Sequence, residues 1–352
     1  MIDMIDLKPL ESASRLLFTV PLKPVQGDRF QPTGFPNLGA ATYQTKDGAK
    51  LLVESAQSMA NRLETTCWDI NGNKPVAPLA GISHVTVTRK GKFLTDSMLE
   101  AHRINSPYIL NGKTNGAVFF DVLGGKLNAF ETGTIDRKSL AEEMLRFDVG
   151  SLIHGLFLSA KINNRTLAGG RLRVARALSA FIEATGVRVA ASGGVKNDHV
   201  NPSGDTKTGF GNVPFSRDEF TAESIDCHVN LDLAQIRGYG LGESAERLLI
   251  LLALYRLRRL FDGDMRLRTA CDLEPVNREK ISANRPAGFV LPSLTDLEKE
   301  LPGAIEAGKE LMNRTTVAFE DELKKGKDTD DAAAPTADND QDATEDAQNE
   351  KD

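Results

Sequence analysis

Apolar and polar residues alternate in several stretches of this chain, the pattern of half-buried strands. They are residues 16–22, 85–89 joined to Phe93 through Lys90-Gly91-Lys92, 117–123, 156–162, 187–192, 224–233 and 265–273. Apolar residues recur every three to four positions in 52–64, in 173–185 closed by Gly186, and in 244–261, which opens on Ser244 and stops at Asp262-Gly263. These spacings predict helices. A further helical pattern at 293–313 opens on the capping residue Ser293 with acids in its first turn, and Pro302 predicts that it is broken into two parts. Strands and helices are mixed without a tandem repeat, which predicts an α+β fold. From 166 to 273 the order is helix, strand, long loop, strand, helix, strand, and the N-terminal part begins strand, loop, helix. That order suits a ferredoxin-like (RRM-like) βαββαβ core with insertions.

Two segments are too long for ordinary connectors, 23–43 and 193–215. Residues 324–352 carry no aromatic or branched aliphatic side chain, so they cannot bury enough to offset the entropy of ordering, and the segment reads as a disordered acidic tail behind a body of 1–323. The tail changes the meaning of the charge. The 352 residues carry a formal −6, but the tail alone holds four Lys and ten acids, and what remains has 39 basic and 39 acidic residues. A neutral body admits a nucleic-acid partner if its charges are segregated, and an acidic tail would oppose nonspecific RNA binding by repulsion. Three scattered cysteines, Cys67, Cys227 and Cys271, predict neither a disulfide framework nor a zinc site and suit a reducing cytoplasm. The N-terminus lacks the pattern of a secretory signal. The most apolar run, 248–255, ends in arginines and is far short of the ~20 residues of a bilayer span. No membrane, metal or cofactor is expected.

The first long loop pairs the cations Lys23 and Arg29 with the neutral donors Gln26, Gln31 and Asn37, and Gly27, Gly34 and Gly39 let backbone amides approach a phosphate. The same prolines and glycines also suit a loop that only turns. Phe30 and Phe35 fit either base stacking or anchoring in the core. On the following helix Ser55, Ser58 and Arg62 share one face, a polar stripe with a single cation that suits phosphate as well as solvent. Residues 167–176 read LAGGRLRVAR, which would place Arg171, Arg173 and Arg176 in the first turns of a helix, where cations are unfavourable unless an anion lies between them and the amides. Pairing with acids elsewhere explains them equally well. Residues 238–244, GYGLGES, could cradle a phosphate but lack the ending of a P-loop. Arg256, Arg258, Arg259, Arg266 and Arg268 form the densest basic cluster, open to RNA, a neighbouring subunit or solvent.

Blocks along the chain resemble a known family: VPLKP at 20–24, QGDRFQPTGFPNLGAATY at 26–43, VESAQSMANRLE at 53–64, KTNGAVFFDV at 113–122, LAGGRLRVARAL at 167–178 and GYGLGESAERLL at 238–249. Together, over 15–291, they resemble the repeat-associated (RAMP) backbone subunits of type I CRISPR Cascade complexes, and in particular the subtype I-G form, formerly I-U. The resemblance implies a hand-shaped protein with a ferredoxin-like palm, inserted fingers and a thumb hairpin, for which both 193–215 and 85–93 qualify. It implies a crRNA-binding backbone subunit whose copies stack head to tail along the guide in a helical filament beside other Cascade subunits. The guide is then presented to target DNA for base pairing in antiviral defence, without catalysis. The residues expected at the RNA are Lys23, Gln26, Arg29, Gln31, Ser55, Ser58, Arg62, Arg171, Arg173 and Arg176.

Two other readings stay open. A RAMP-type endoribonuclease would need a positioned acid or base, for which the scattered histidines offer only Asp198-His199, and some relatives in type III complexes cut with a loop aspartate, which makes Asp28, Asp198 and Asp205 its candidates. A small-molecule α+β enzyme would use the glycines at 238–242.

Overall fold

The computed structural model describes residues 5–35, 39–130, 133–263 and 265–321; the expected acidic tail, 324–352, lies outside them. Along the chain come β1 (Arg15–Pro24), β2 (Thr42–Thr45), β3 (Gly48–Glu54) and α1 (Ala56–Thr65). They are followed by the hairpin β4 (His84–Arg89) and β5 (Lys92–Asp96), then α2 (Phe119–Lys126), α3 (Arg137–Phe147), α4 (Val149–His154), β6 (Leu156–Leu158) and β7 (Leu172–Val174). Next are β8 (Leu178–Thr185), β9 (Arg188–Lys196), β10 (Val213–Thr221), β11 (Ser224–Asp232) and α5 (Glu243–Asp262). The chain then runs through β12 (Met265–Arg268), β13 (Cys271–Pro275), α6 (Leu294–Gly308) and β14 (Arg314–Ala318).

The α+β mixture is as the patterning predicts. The principal sheet has the order β12, β13, β1, β11, β8, β3, β2, with every neighbouring pair antiparallel. Its centre is built from strict alternation: Leu16, Phe18, Val20 and Leu22 of β1, Leu178, Ala180, Ile182 and Ala184 of β8, and Cys227, Val229 and Leu231 of β11 all face the interior. The long helix α5 is buried over nearly its whole length, and α6 packs along it. No described helix is long and apolar enough to cross a membrane.

Residues 66–177 leave the sheet after α1 and return to it at β8. They carry most of a second, five-stranded sheet in which β14 lies parallel to β4. Residues 188–221 leave between β8 and β11 as the hairpin β9–β10, paired from Arg188 with Thr221 to Lys196 with Val213. The segment 193–215, expected as a loop, is therefore strand at both ends. Its Gly, Ser and Lys residues hid the pairing because neither face of the hairpin is buried enough to impose an apolar alternation.

Four further expectations are corrected. Residues 173–185, predicted as helix, form β7 and β8: the spacing of Leu178, Ala180, Ile182 and Ala184 has period two, and pairing with β11 and β3 overrides helix propensity. The helix predicted from residue 52 begins only after Ser55, whose hydroxyl accepts the Ser58 amide at 3.2 Å; the residues before it pair as β3. Residues 117–123 are mostly the helix α2, which buries Phe119, Phe120 and Leu123 on one side. The helix at 293–313 is continuous through Pro302, because the face of Leu297, Leu301, Ile305 and Gly308 buried against the body holds both halves in line.

Candidate nucleic-acid interface

The two long segments that the sequence sets apart meet in space. Phe30 of the first exchanges both backbone hydrogen bonds with Phe220 of β10 at 2.9 Å, and Arg29 stands 3.7 Å from Glu219 beside it. Phe30 itself is fully buried, so of its two expected uses it serves as an anchor. That anchor holds Lys23, Gln26 and Arg29 outward on one rim at the foot of the hairpin, with Lys23 sharing Glu274 at 3.2 Å and Gly27 turning the chain at φ +65°. Gln31 is half-buried and its backbone is fixed to β12 and the turn after it: its main-chain N–H donates to Ala270 O at 2.9 Å and its main-chain carbonyl accepts Arg268 Nη1 at 3.1 Å.

The stripe expected on α1 has a different occupation. Ser55 is the helix cap. Ser58 Oγ and Arg62 Nε, the latter at 2.7 Å, both donate to Glu54, a fully buried carboxylate that also takes Arg268 Nη2. Arg62 reaches on to the carbonyls of Arg266 and Leu267. Ser55, Ser58 and Arg62 therefore tie α1 to β3 and β12 and do not form an outward phosphate stripe. Sequence reasoning missed Glu54 because it is one more acid at a strand end until the fold folds two arginines onto it.

Arg171, Arg173 and Arg176 are not at a helix N-terminus. Arg173 lies on β7 directly opposite Phe157 of β6, with its guanidinium 4.0 Å over the ring. Arg171 is exposed and donates to Ala168 O at 3.0 Å and Gly133 O at 3.3 Å. Arg176 reaches the start of α1, donating to His154 O at 3.2 Å, Ala56 O at 3.1 Å and Gln57 Oε1 at 2.6 Å. Burial, with the nearby Arg103, lowers its pKa from the usual arginine value.

Within the basic cluster 256–268, Arg266 is exposed, while the other four arginines turn into the protein, Arg268 onto Glu54. Arg256 is fully buried, Arg258 is held by Asp262 and the Arg278 carbonyl, and Arg259 donates twice to Thr66 O. Arg256 lies in a charged joint between helices α1 and α5 and the 66–177 insertion. There Glu64 pairs with Arg103, Asp148 accepts Ser151 Oγ at 2.7 Å, and Arg256 has no hydrogen-bond partner among the described residues. Burial raises the pKa of Glu64 and of Asp148, and the Arg103 charge only partly offsets this at Glu64. Burial, reinforced by Arg256, Arg103 and Arg176, drives His154 well below the usual imidazole value and keeps it neutral.

Of the loop aspartates, Asp198 is engaged in holding the hairpin tip. Its Oδ1 accepts the amides of Val200 and Asn201 at 2.9 Å and its Oδ2 that of Gly211 at 2.8 Å, which together hold its pKa below the ordinary carboxylate value. Asp205 accepts the Lys207 amide at 3.0 Å, and Asp28 is exposed. The glycine loop 238–242 leads into α5 beside a cavity of about 310 Å³, where Lys138 stands 3.8 Å from Glu142 and Arg146 3.3 Å from Glu143.

Comparison with known proteins gives three findings. Residues 16–189, just under half of the chain, match the model of the family described as CRISPR-associated protein GSU0053. No curated protein sequence matches the chain. Among solved structures, a chain of a "CRISPR RNA-guided surveillance complex, pre-nicking" is similar at 13% identity and a TM-score of 0.37, over 74% of this chain and 73% of that one. Csc2 of Thermofilum pendens is similar at 10% identity and a TM-score of 0.32, over 88% of this chain and 80% of that one. The family match supports a CRISPR-associated protein.

Proposed function

We propose that this protein is a crRNA-binding backbone subunit of a Cascade-type surveillance complex, of subtype I-G, that stacks along the guide and presents it for pairing with target DNA without cutting it. The observation that carries this reading is the match of residues 16–189 to a CRISPR-associated family. The topology is consistent with it. Taking β1, β8, β11 and β13 as the four strands and α1 and α5 as the two helices, the chain runs βαββαβ with spatial order fourth, first, third, second, the ferredoxin-like arrangement of a palm. The 66–177 insertion then corresponds to fingers, and the hairpin β9–β10 to the thumb.

In this reading Lys23, Gln26 and Arg29 at the foot of the hairpin hold the sugar-phosphate chain, with Arg171 and Arg173 further along on the insertion. Ser55, Ser58, Arg62 and Arg176 support that surface from behind. Affinity then comes from phosphate contacts and sequence is read by the guide itself. Purified protein is expected to carry RNA of defined length, to form RNA-dependent filaments in negative stain, and to bind with log affinity falling in log salt by about 0.7 per phosphate neutralised. Salt-independent binding, binding confined to one sequence, or shortening of the RNA on incubation would refute it.

A further inference from the structure

The 66–177 insertion carries an outer face whose aromatic rings the phosphate grip at Arg171 and Arg173 leaves unused. Phe157 on β6 and Phe130 after α2 are 40% and 41% exposed, and each has a guanidinium laid over its ring: Arg173 at 4.0 Å on Phe157 and Arg165 at 4.7 Å on Phe130. The two stacks are joined by Leu167–Gly170, where Ala168, Gly169 and Gly170 all take positive φ, and Arg171 staples that turn to Gly133 O.

The charge of this stretch of chain is one-sided. Between Asp148 and Glu183 the chain has no acidic residue but has Lys161, Arg165, Arg171, Arg173 and Arg176, within a body whose charges as a whole sum to zero. Exposed cations such as Lys23 and Arg15 sit beside carboxylates, Glu274 and Asp232. Here Arg165 has a single exposed carboxylate, Asp121, and Arg173 has none among the described residues. An exposed guanidinium over a ring keeps donors and a planar cation available to a second π-face. Exposed aromatic rings interleaved with arginines are the surface on which single-stranded nucleic acid stacks its bases, whatever their sequence.

We propose that this face, centred on Phe157–Arg173 and Phe130–Arg165, is a base-stacking platform for single-stranded nucleic acid, separate from the phosphate rim at the foot of the hairpin. The proposal rests on the nucleic-acid reading above and adds to it a contact with bases. Bases lodged here gain affinity that salt does not remove.

The test compares strands with and without bases on the full-length protein. Fluorescence anisotropy is measured with a 20-nucleotide oligouridine, an abasic ribose-phosphate strand of equal length, and the corresponding oligothymidine and abasic deoxyribose strands. Wild type is expected to bind base-bearing strands roughly 5- to 100-fold tighter than abasic ones. The double variant F130A/F157A is expected to lose that preference and keep its affinity for the abasic strand, and Arg173→Lys, which keeps the charge and loses the planar stack, to lose part of it. Because these side chains are exposed, unchanged circular dichroism melts identify a folded variant. A preference for ribose or deoxyribose tells which strand is the natural one, and either supports the platform. Equal wild-type affinity for base-bearing and abasic strands overturns it while leaving the guide-scaffold reading intact. Failure to bind any strand overturns both.

Discussion

Glu54→Gln is a near-isosteric change at the point where α1, β3 and β12 are tied together. The carboxylate is fully buried and takes Arg62 Nε at 2.7 Å, Ser58 Oγ and Arg268 Nη2. A glutamine keeps one acceptor oxygen but turns an NH2 toward guanidinium donors, so one charge-assisted bond is replaced by a donor facing a donor, and both arginines lose their counter-charge. Breaking a buried ion pair from one side costs about 3–5 kcal/mol. Both guanidiniums retain carbonyl acceptors, Arg62 on Arg266 at 3.2 Å and Arg268 on Gln31 at 3.1 Å and Val53 at 3.0 Å, which sets the expectation at the lower end, about 3 kcal/mol. With an unfolding entropy of about 2.1 cal/mol/K per residue, that lowers Tm by roughly 4 °C in a body of this size. The assay is thermal and urea unfolding of wild type, Glu54→Gln, Arg62→Met and the double variant. The cycle is expected to give a coupling of about 2 kcal/mol. A loss below about 1 kcal/mol for Glu54→Gln, or no cost for Arg62→Met beside an intact Glu54, refutes the argument that Arg62 is committed to the interior.

Three more measurements address other parts of the fold. His154 is held neutral by burial and by Arg256, Arg103 and Arg176, so as pH falls below the unfolded imidazole value near 6.5 the unfolded state gains a proton that the folded state refuses; stability is expected to drop between pH 7 and 5 by up to about 1.4 kcal/mol per unit, and His154→Asn to flatten that slope in Tm against pH. The depressed pKa of Asp198 predicts that its contribution to the hairpin tip is complete above the unfolded carboxyl value of 3.8 and is lost as pH falls through the lower folded one; at pH 7 Asp198→Asn should open residues 197–212 to limited proteolysis while wild type resists. Cys67, Cys227 and Cys271 are buried thiols, with Cys227 pushed up to about 12 and Cys271 to about 11, so Ellman's reagent at pH 8 is expected to react with none in the native protein and with all three in guanidinium chloride.

Where one face of an element is buried in an ordinary way, local patterning was enough to set the outcome. The alternation in β1 and β11, the apolar length and terminal signals of α5, and the Lys90-Gly91 turn of the β4–β5 hairpin all follow from local rules, and the order of these elements pointed to the α+β class. The likeness to a CRISPR-associated family was also legible over 16–189, since it rests on blocks in order along the chain. Segment 173–185 was not: its apolar residues satisfy a helical and a strand period alike, and only its partners, β6 for β7 and β11 and β3 for β8, make it strand. The candidate site divides in the same way. Lys23, Gln26 and Arg29 lie on the surface where their loop suggested, but the fates of Ser58, Arg62, Arg176 and Arg256 were decided by tertiary structure. A local window reports an arginine's charge and spacing but not the distant carboxylate or carbonyl that desolvates and claims it, and those partners, Glu54 for Arg62 and Ala56 for Arg176, arrive only when the insertion and the sheet close around α1.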